Sequence, residues 1–77
     1  MTRQATQQEI KAYEKVENIL TMEEMDIIFD EMYDEQTFDN LLHNTVTNDK
    51  ILAIIKAHKI SARELSDWYF TEVEETL

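Results

Sequence analysis

Carboxylates are the chemically capable groups that this chain holds in quantity. Eight of them, Glu23, Glu24, Asp26, Asp30, Glu31, Asp34, Glu35 and Asp39, fall within residues 21–40, a stretch with no Lys or Arg. Such a block can do three kinds of chemistry: bind a cation, share a proton, or present a field to a partner. A calcium loop needs acidic ligands at alternate positions around a Gly turn, and residues 30–39 have neither the spacing nor a Gly. A zinc site needs a second ligand one helical turn from a His, and neither His43 nor His58 has a His or Glu at i+3 or i+4. Asp39 and His43 are one turn apart, a spacing read as a surface hydrogen bond. Nucleophilic catalysis has little to work with, because Cys is absent and Ser61 and Ser66 read as a helix cap and a helix surface residue. The expectation is a non-enzymatic protein with no catalytic residue, metal or cofactor, whose carboxylates act through their field.

That field depends on the elements that carry it. The chain has 77 residues, enough for one small domain spanning residues 1–77, with 1–5 and 76–77 expected to fray. Gly and Pro are both absent, which removes the usual residues for tight turns and hairpins and argues against a sheet. A hydrophobic content of 43% offsets the net charge of −10 and argues for a folded chain. The fold class expected is all-α, a compact bundle of four or five short helices. No apolar run approaches a membrane span and residues 1–5 do not lead into a signal core, so a soluble, unexported, cytoplasmic protein is expected.

Three capping-box patterns place helix starts: Thr6 with Glu9, Thr21 with Glu24, and Ser61 with Glu64. Ile10, Tyr13, Val16 and Leu20 follow the first, and Met25, Ile28, Phe29, Met32 and Tyr33 follow the second, each at helical intervals. The second apolar stripe is rotated by roughly 150° from the first, so one straight helix could not bury both, and a break is expected at Leu20-Thr21. The acidic block then lies opposite Met25, Ile28 and Met32 as an anionic stripe. A short third helix carries Phe38, Leu41, Leu42 and Val46, with Asp34 or Thr37 as cap. Asn44-Thr45-Val46-Thr47-Asn48 reads as a loop whose last residue caps a fourth helix from Asp49 to Lys59. Ile51, Leu52, Ala53, Ile54, Ile55 and Ala57 are apolar nearly all round, which predicts a central, enclosed helix. In the fifth helix Leu65, Trp68, Tyr69, Val73 and Leu77 share a face, and Glu72, Glu74 and Glu75 oppose the helix dipole, so its last turn should fray.

Trp68, Tyr69 and Phe70 are consecutive, so they cannot all face one core. Trp68 and Phe70 are therefore candidate contact anchors besides the acidic face. Residues 50–70 resemble the opening half of a helix-turn-helix unit: an apolar helix, His58-Lys59-Ile60, then Ser61-Ala62-Arg63-Glu64-Leu65. That resemblance implies a recognition helix next, whereas Thr71-Glu72-Val73-Glu74-Glu75 follows and would repel phosphates. Lys50, Lys56, Lys59 and Arg63 form a local basic group that the net charge outweighs.

These features favour a protein-binding module. Its partner is expected to be a protein with a basic surface, nucleic-acid-binding proteins included, with no direct binding to nucleic acid or membrane and with homodimerisation open. In general character such a chain resembles small inhibitors carried by phages and mobile elements, which occlude nucleic-acid machinery by charge mimicry. A regulator, antirepressor or antitoxin built on the helix-turn-helix-like half is one alternative. A structural subunit with Met22, Met25, Met32 and Trp68 partly exposed until assembly is the other.

Overall fold

The computed structural model describes residues 6–76, with side chains described through residue 72, and contains five α-helices and no strand among them. The first begins where Thr6 accepts the Glu9 backbone N–H through its hydroxyl at 3.2 Å, while the Glu9 carboxylate accepts the Thr6 N–H at 3.2 Å. Helix α1, Gln7–Ile19, ends because Leu20 and Thr21 take extended backbone angles. Thr21 and Glu24 then form the same reciprocal pair, at 3.1 and 2.9 Å, to open α2, Met22–Glu31. The break at Leu20-Thr21 stands as the phase shift requires: α1 buries Ala12 and Val16 with Leu20 behind them, and α2 buries Ile28 with Met32 at its cap.

Asp34, not Thr37, caps α3, Glu35–Leu42: its carboxylate accepts the Thr37 N–H at 3.0 Å and the Thr37 hydroxyl at 2.8 Å. Asn48 caps α4, Asp49–His58, by accepting the N–H groups of Lys50 and Ile51. Helix α4 stops at Lys59, which holds a left-handed conformation (φ 55°, ψ 40°) that usually falls to Gly. Ile60 is buried beneath this turn, and the Ser61–Glu64 box opens α5, Ala62–Thr76. The expected fraying of residues 1–5 and of Leu77 falls outside the described residues, as do the side chains of Val73, Glu74 and Glu75, whereas the backbone of α5 stays helical through Thr76, where fraying was expected too.

Two antiparallel helix pairs hold the bundle. In the first, the Tyr13 hydroxyl of α1 donates to Glu72 near the end of α5 at 2.6 Å, and Trp68 Nε1 donates to Glu17 at 2.7 Å. Lys15 and Glu64 tie the other edge of this pair at 2.7 Å. In the second, Glu24 at the start of α2 meets His58 at the end of α4, and Glu31 at the end of α2 meets Asn48 and Lys50 at the start of α4. Helix α3 lies against α5. The fully buried side chains are Val16, Ile28, Leu41, Ile51, Leu65 and Trp68, so every helix contributes to one core. The radius of gyration, 11.7 Å, matches the roughly 11.5 Å expected of a compact 77-residue domain. Among the described residues no buried side-chain polar atom lacks a partner, and no helix is long and apolar enough to cross a membrane.

Three expectations about the core need correction. Helix α4 is not enclosed: Ile51 and Ile54 are buried, but Ala53, Lys56 and Ala57 face solvent. The alanines that made it look apolar all round cost little when exposed and favour helix in any setting. The most enclosed helix is α5, where Leu65, Ser66, Trp68, Tyr69 and Thr71 are all buried, so Ser66 is an interior residue. In the stripes, Ile10 is 40% exposed, Tyr33 is 90% exposed beyond the end of α2, and Phe38 and Leu42 lie at the surface of α3 while Leu41 fills the core.

Candidate docking surface

The eight carboxylates of residues 21–40 separate into two groups. Glu24, Glu31 and Asp34 are consumed by the fold. Glu24 closes its capping box and accepts His58 Nε2 through both oxygens, at 2.8 and 2.9 Å. A carboxylate of this kind can only accept, so Nε2 is the protonated nitrogen of that imidazole. The pair joins an acid in the first turn of α2, where the helix dipole favours it, to a ring in the last turn of α4. Glu31 accepts Asn48 Nδ2 at 2.7 Å and lies 3.5 Å from Lys50 Nζ, bracing the residue that caps α4. The acidic block is therefore partly compensated by bases that lie far off in sequence.

Glu23, Asp26, Asp30, Glu35 and Asp39 form the second group. All five are exposed, and their carboxylates have no hydrogen bond or ion pair among the described residues. Glu23, Asp26 and Asp30 are at i, i+3 and i+7 on one face of α2, about 4.5 and 6 Å apart along its axis at 1.5 Å per residue. Duplex DNA places a phosphate about every 1.7 Å of axis, so this stripe carries roughly a third of that density. Met22, 74% exposed, and Ile27, 38% exposed, also reach the surface of α2. Glu35 and Asp39 continue the anionic surface onto α3, beside the exposed Phe38 and Leu42.

The aromatic candidates divide differently. Trp68 is 0% exposed and its indole N–H is bound to Glu17, so it is a core residue and not a surface anchor. The reason is helical geometry: Trp68 is on the face of α5 turned toward α1. Phe70 is half-buried, edge-on to Tyr69 at 5.2 Å and to Phe38 at 5.6 Å, and reaches the surface beside α3. Met32 is buried as well, which leaves Met22 and the half-buried Met25 as the methionines near solvent on α2.

Among the described residues the basic side chains form no single patch. Lys50 is engaged with Glu31 and Lys15 with Glu64, while Lys56 and Lys59 are exposed on α4 and its cap. Lys11, Lys15 and Arg63 do line a cleft of about 290 Å³ between α1 and α5, but Glu64 and Asp67 line it too. The α4–turn–α5 arrangement has the helix, three-residue turn and helix of the expected resemblance. Its second helix, however, continues unbroken through residues 71–76, where the resemblance calls for a turn and then a recognition helix. His43 Nδ1 bonds the Asp39 backbone carbonyl at 2.8 Å, so this pair links ring and main chain and leaves the Asp39 carboxylate apart. No group of three or more His, Asp or Glu side chains among the described residues is arranged to hold a metal ion.

Among the described residues three groups have displaced acidities. Glu24 is held below its ordinary value of 4.5, first by the Thr21 backbone N–H, against the opposing effect of burial. Glu64 is lowered too, first by its hydrogen bond from Lys15 and then by the Ser61 N–H. Burial raises the Tyr69 phenol, with Tyr33 adding to the effect. Sequence reasoning missed the Glu24–His58 and Glu17–Trp68 pairs, whose members are 34 and 51 residues apart, beyond any local spacing rule. It also missed the surface position of Phe38 and Leu42, for which the acids beside them, Glu35 and Asp39, were the available signal. Comparison with known proteins finds no family model, no curated protein and no solved structure that matches this chain.

Proposed function

We propose that this protein is a non-enzymatic binding module that docks through the exposed carboxylates of α2 on a basic surface of a partner protein. The observation that carries the reading is the division of labour among its acids. Glu24, Glu31, Asp34 and Glu64 each serve a cap or an ion pair, whereas Glu23, Asp26 and Asp30 share a solvent face and serve none. Like charges one turn apart destabilise a helix by a few tenths of a kcal/mol per pair; the first-turn position of Glu23 offsets part of this, but for Asp30, in the last turn of α2, nothing in the fold recovers the cost. A cationic partner would. Association of this kind is fast, because opposite fields steer the encounter, and it weakens with salt, because the field is screened over about 8 Å at physiological ionic strength.

Within this class the reading is an inhibitor that occludes a nucleic-acid-binding surface, of the sort that phages and mobile elements carry. The stripe matches the sign of a phosphate row at lower density, so the partner's surface need supply a few well-placed Lys or Arg residues and not a full duplex groove. The test compares the wild-type chain with a variant carrying Glu23→Gln, Asp26→Asn and Asp30→Asn. Asp34 is left intact because its loss would uncap α3. Both proteins are immobilised, exposed to a lysate of the source cell and eluted across a salt gradient, and any retained protein is challenged with duplex DNA. A basic protein held by the wild type, released by salt, displaced by DNA and lost from the variant is expected. Equal retention on both proteins at every salt concentration would refute the role of α2.

A further inference from the structure

The exposed apolar groups of this bundle are not scattered evenly. Phe38, 37% exposed, and Leu42, 51% exposed, are one turn apart on the outer face of α3, with the half-buried Phe70 of α5 against Phe38. In the core beneath, Leu41 is the buried apolar side chain of α3. Phe38 is nonetheless held in place, its ring edge-on to Tyr69 at 6.4 Å and to Phe70 at 5.6 Å. A shallow hollow of about 590 Å³ lies beside it, lined by Glu35, Gln36, Phe38 and Asp39. An aromatic ring that is rigid before contact loses little freedom on binding, which is the property of an interface anchor.

The charges around this face select its occupant. Glu35 and Asp39 flank Phe38 one turn before it and one residue after it, both exposed and both without an ion pair among the described residues. A second copy of this chain would bring the same carboxylates face to face in a molecule of net charge −10. We propose that the Phe38–Leu42 face of α3, with Phe70 beside it, is an anchor site for a cationic amphipathic segment of a protein, one whose apolar side chains are flanked by Lys or Arg. This rests on the reading of the chain as a module for basic partners and names the surface that supplies specificity. The α2 stripe attracts at a distance, and the α3 face recognises the apolar side of what arrives.

The test uses the full, isotope-labelled chain and a synthetic peptide of Leu and Lys patterned at the helical period, about 18 residues or five turns long. A scrambled peptide of the same composition has the same charge and no apolar face. The patterned peptide is expected to bind about tenfold more tightly than the scrambled one, the step that one buried anchor commonly supplies. Its amide shifts should concentrate on α3 and on α5 around Phe70. Leu42→Ser, at a surface position, should keep the helical spectrum and bring the two peptides to the same affinity. The proposal is overturned if the scrambled peptide binds as well as the patterned one, if Leu42→Ser leaves the difference intact, or if the shifts fall on α2 alone. Self-association of the wild type that Leu42→Ser abolishes would assign the face to a second copy and overturn it as well. Failure here is distinct from failure of the α2 reading, because the peptide comparison holds charge constant and the lysate comparison varies it.

Discussion

Removing the carboxylate of Glu17 tests how the α1–α5 pair is secured. Trp68 is wholly inaccessible, and its one polar atom, the indole N–H, is satisfied by Glu17 at 2.7 Å. In Glu17→Ala the donor stays buried and loses its acceptor, which costs about 1–3 kcal/mol for a bond to a charged group. Ala is the better helix former and returns a few tenths of a kcal/mol, so the net loss should be about 2 kcal/mol. A domain of this size has a total stability of roughly 4–11 kcal/mol, so the substitution removes a large share of it. The melting temperature should fall by about 8–16 °C. Glu17→Gln keeps a carbonyl oxygen that can accept the same N–H and should lose less than about 1 kcal/mol. Urea unfolding followed by the fluorescence of Trp68, the single tryptophan, reads this directly. The reasoning fails if the Ala variant lies within about 0.5 kcal/mol of wild type, or if Gln is as damaging as Ala.

Acid should act through Glu24 and Glu64. Their folded acidities are lowered, so the stability they supply is present above the ordinary value of 4.5 and is lost as pH falls through their folded values. The measure is the difference in melting temperature between wild type and the Glu24→Gln, Glu64→Gln double variant, which share every other carboxylate. That gap should close as pH falls below about 4.5, and a gap that is constant from pH 7 to 3 would contradict it. Asp30→Lys should raise stability by about 0.5 kcal/mol, because it places a cation in the last turn of α2 and relieves its repulsion of Asp26. A thermal melt showing a loss would mean that Asp30 has a structural role. Lys59→Gly should stabilise by about 0.5–1 kcal/mol in chemical denaturation, since Gly holds the left-handed angle without strain, and a destabilised variant would refute the strain.

What could be read from the sequence and what could not divide along the range of the interactions. Thr6 with Glu9, Thr21 with Glu24 and Ser61 with Glu64 are contacts over three residues, so the pattern that names them also specifies their geometry. The break at Leu20-Thr21 followed from the phase of two apolar stripes, again a local quantity. Which helix packs on which was not readable, because pairing depends on contacts such as Tyr13 with Glu72 and Glu31 with Asn48 that no fixed spacing announces. Helix α4 was misplaced for a related reason. Ala53 and Ala57 count as apolar in any periodicity, yet they tolerate solvent, and burial is decided by Ile51 and Ile54. The anionic block was read correctly in composition and wrongly in availability, since three of its eight acids are taken up by caps and distant bases. Trp68 was offered as an anchor because aromatic type alone does not say which of three consecutive rings faces inward.

The α1–α5 pairing also has a consequence for how the protein is made. Glu17 and Trp68 are separated by 51 residues, and at roughly 5–20 residues per second a ribosome needs several seconds to pass from one to the other. Throughout that interval Val16 and Leu20 lack the helix that covers them, and the nascent chain has no finished core. The next stretch to emerge holds the eight carboxylates between Glu23 and Asp39. A half-made chain thus carries its greatest charge density directly behind its first uncovered apolar stripe, at the stage of synthesis when sticking to other nascent chains is most damaging.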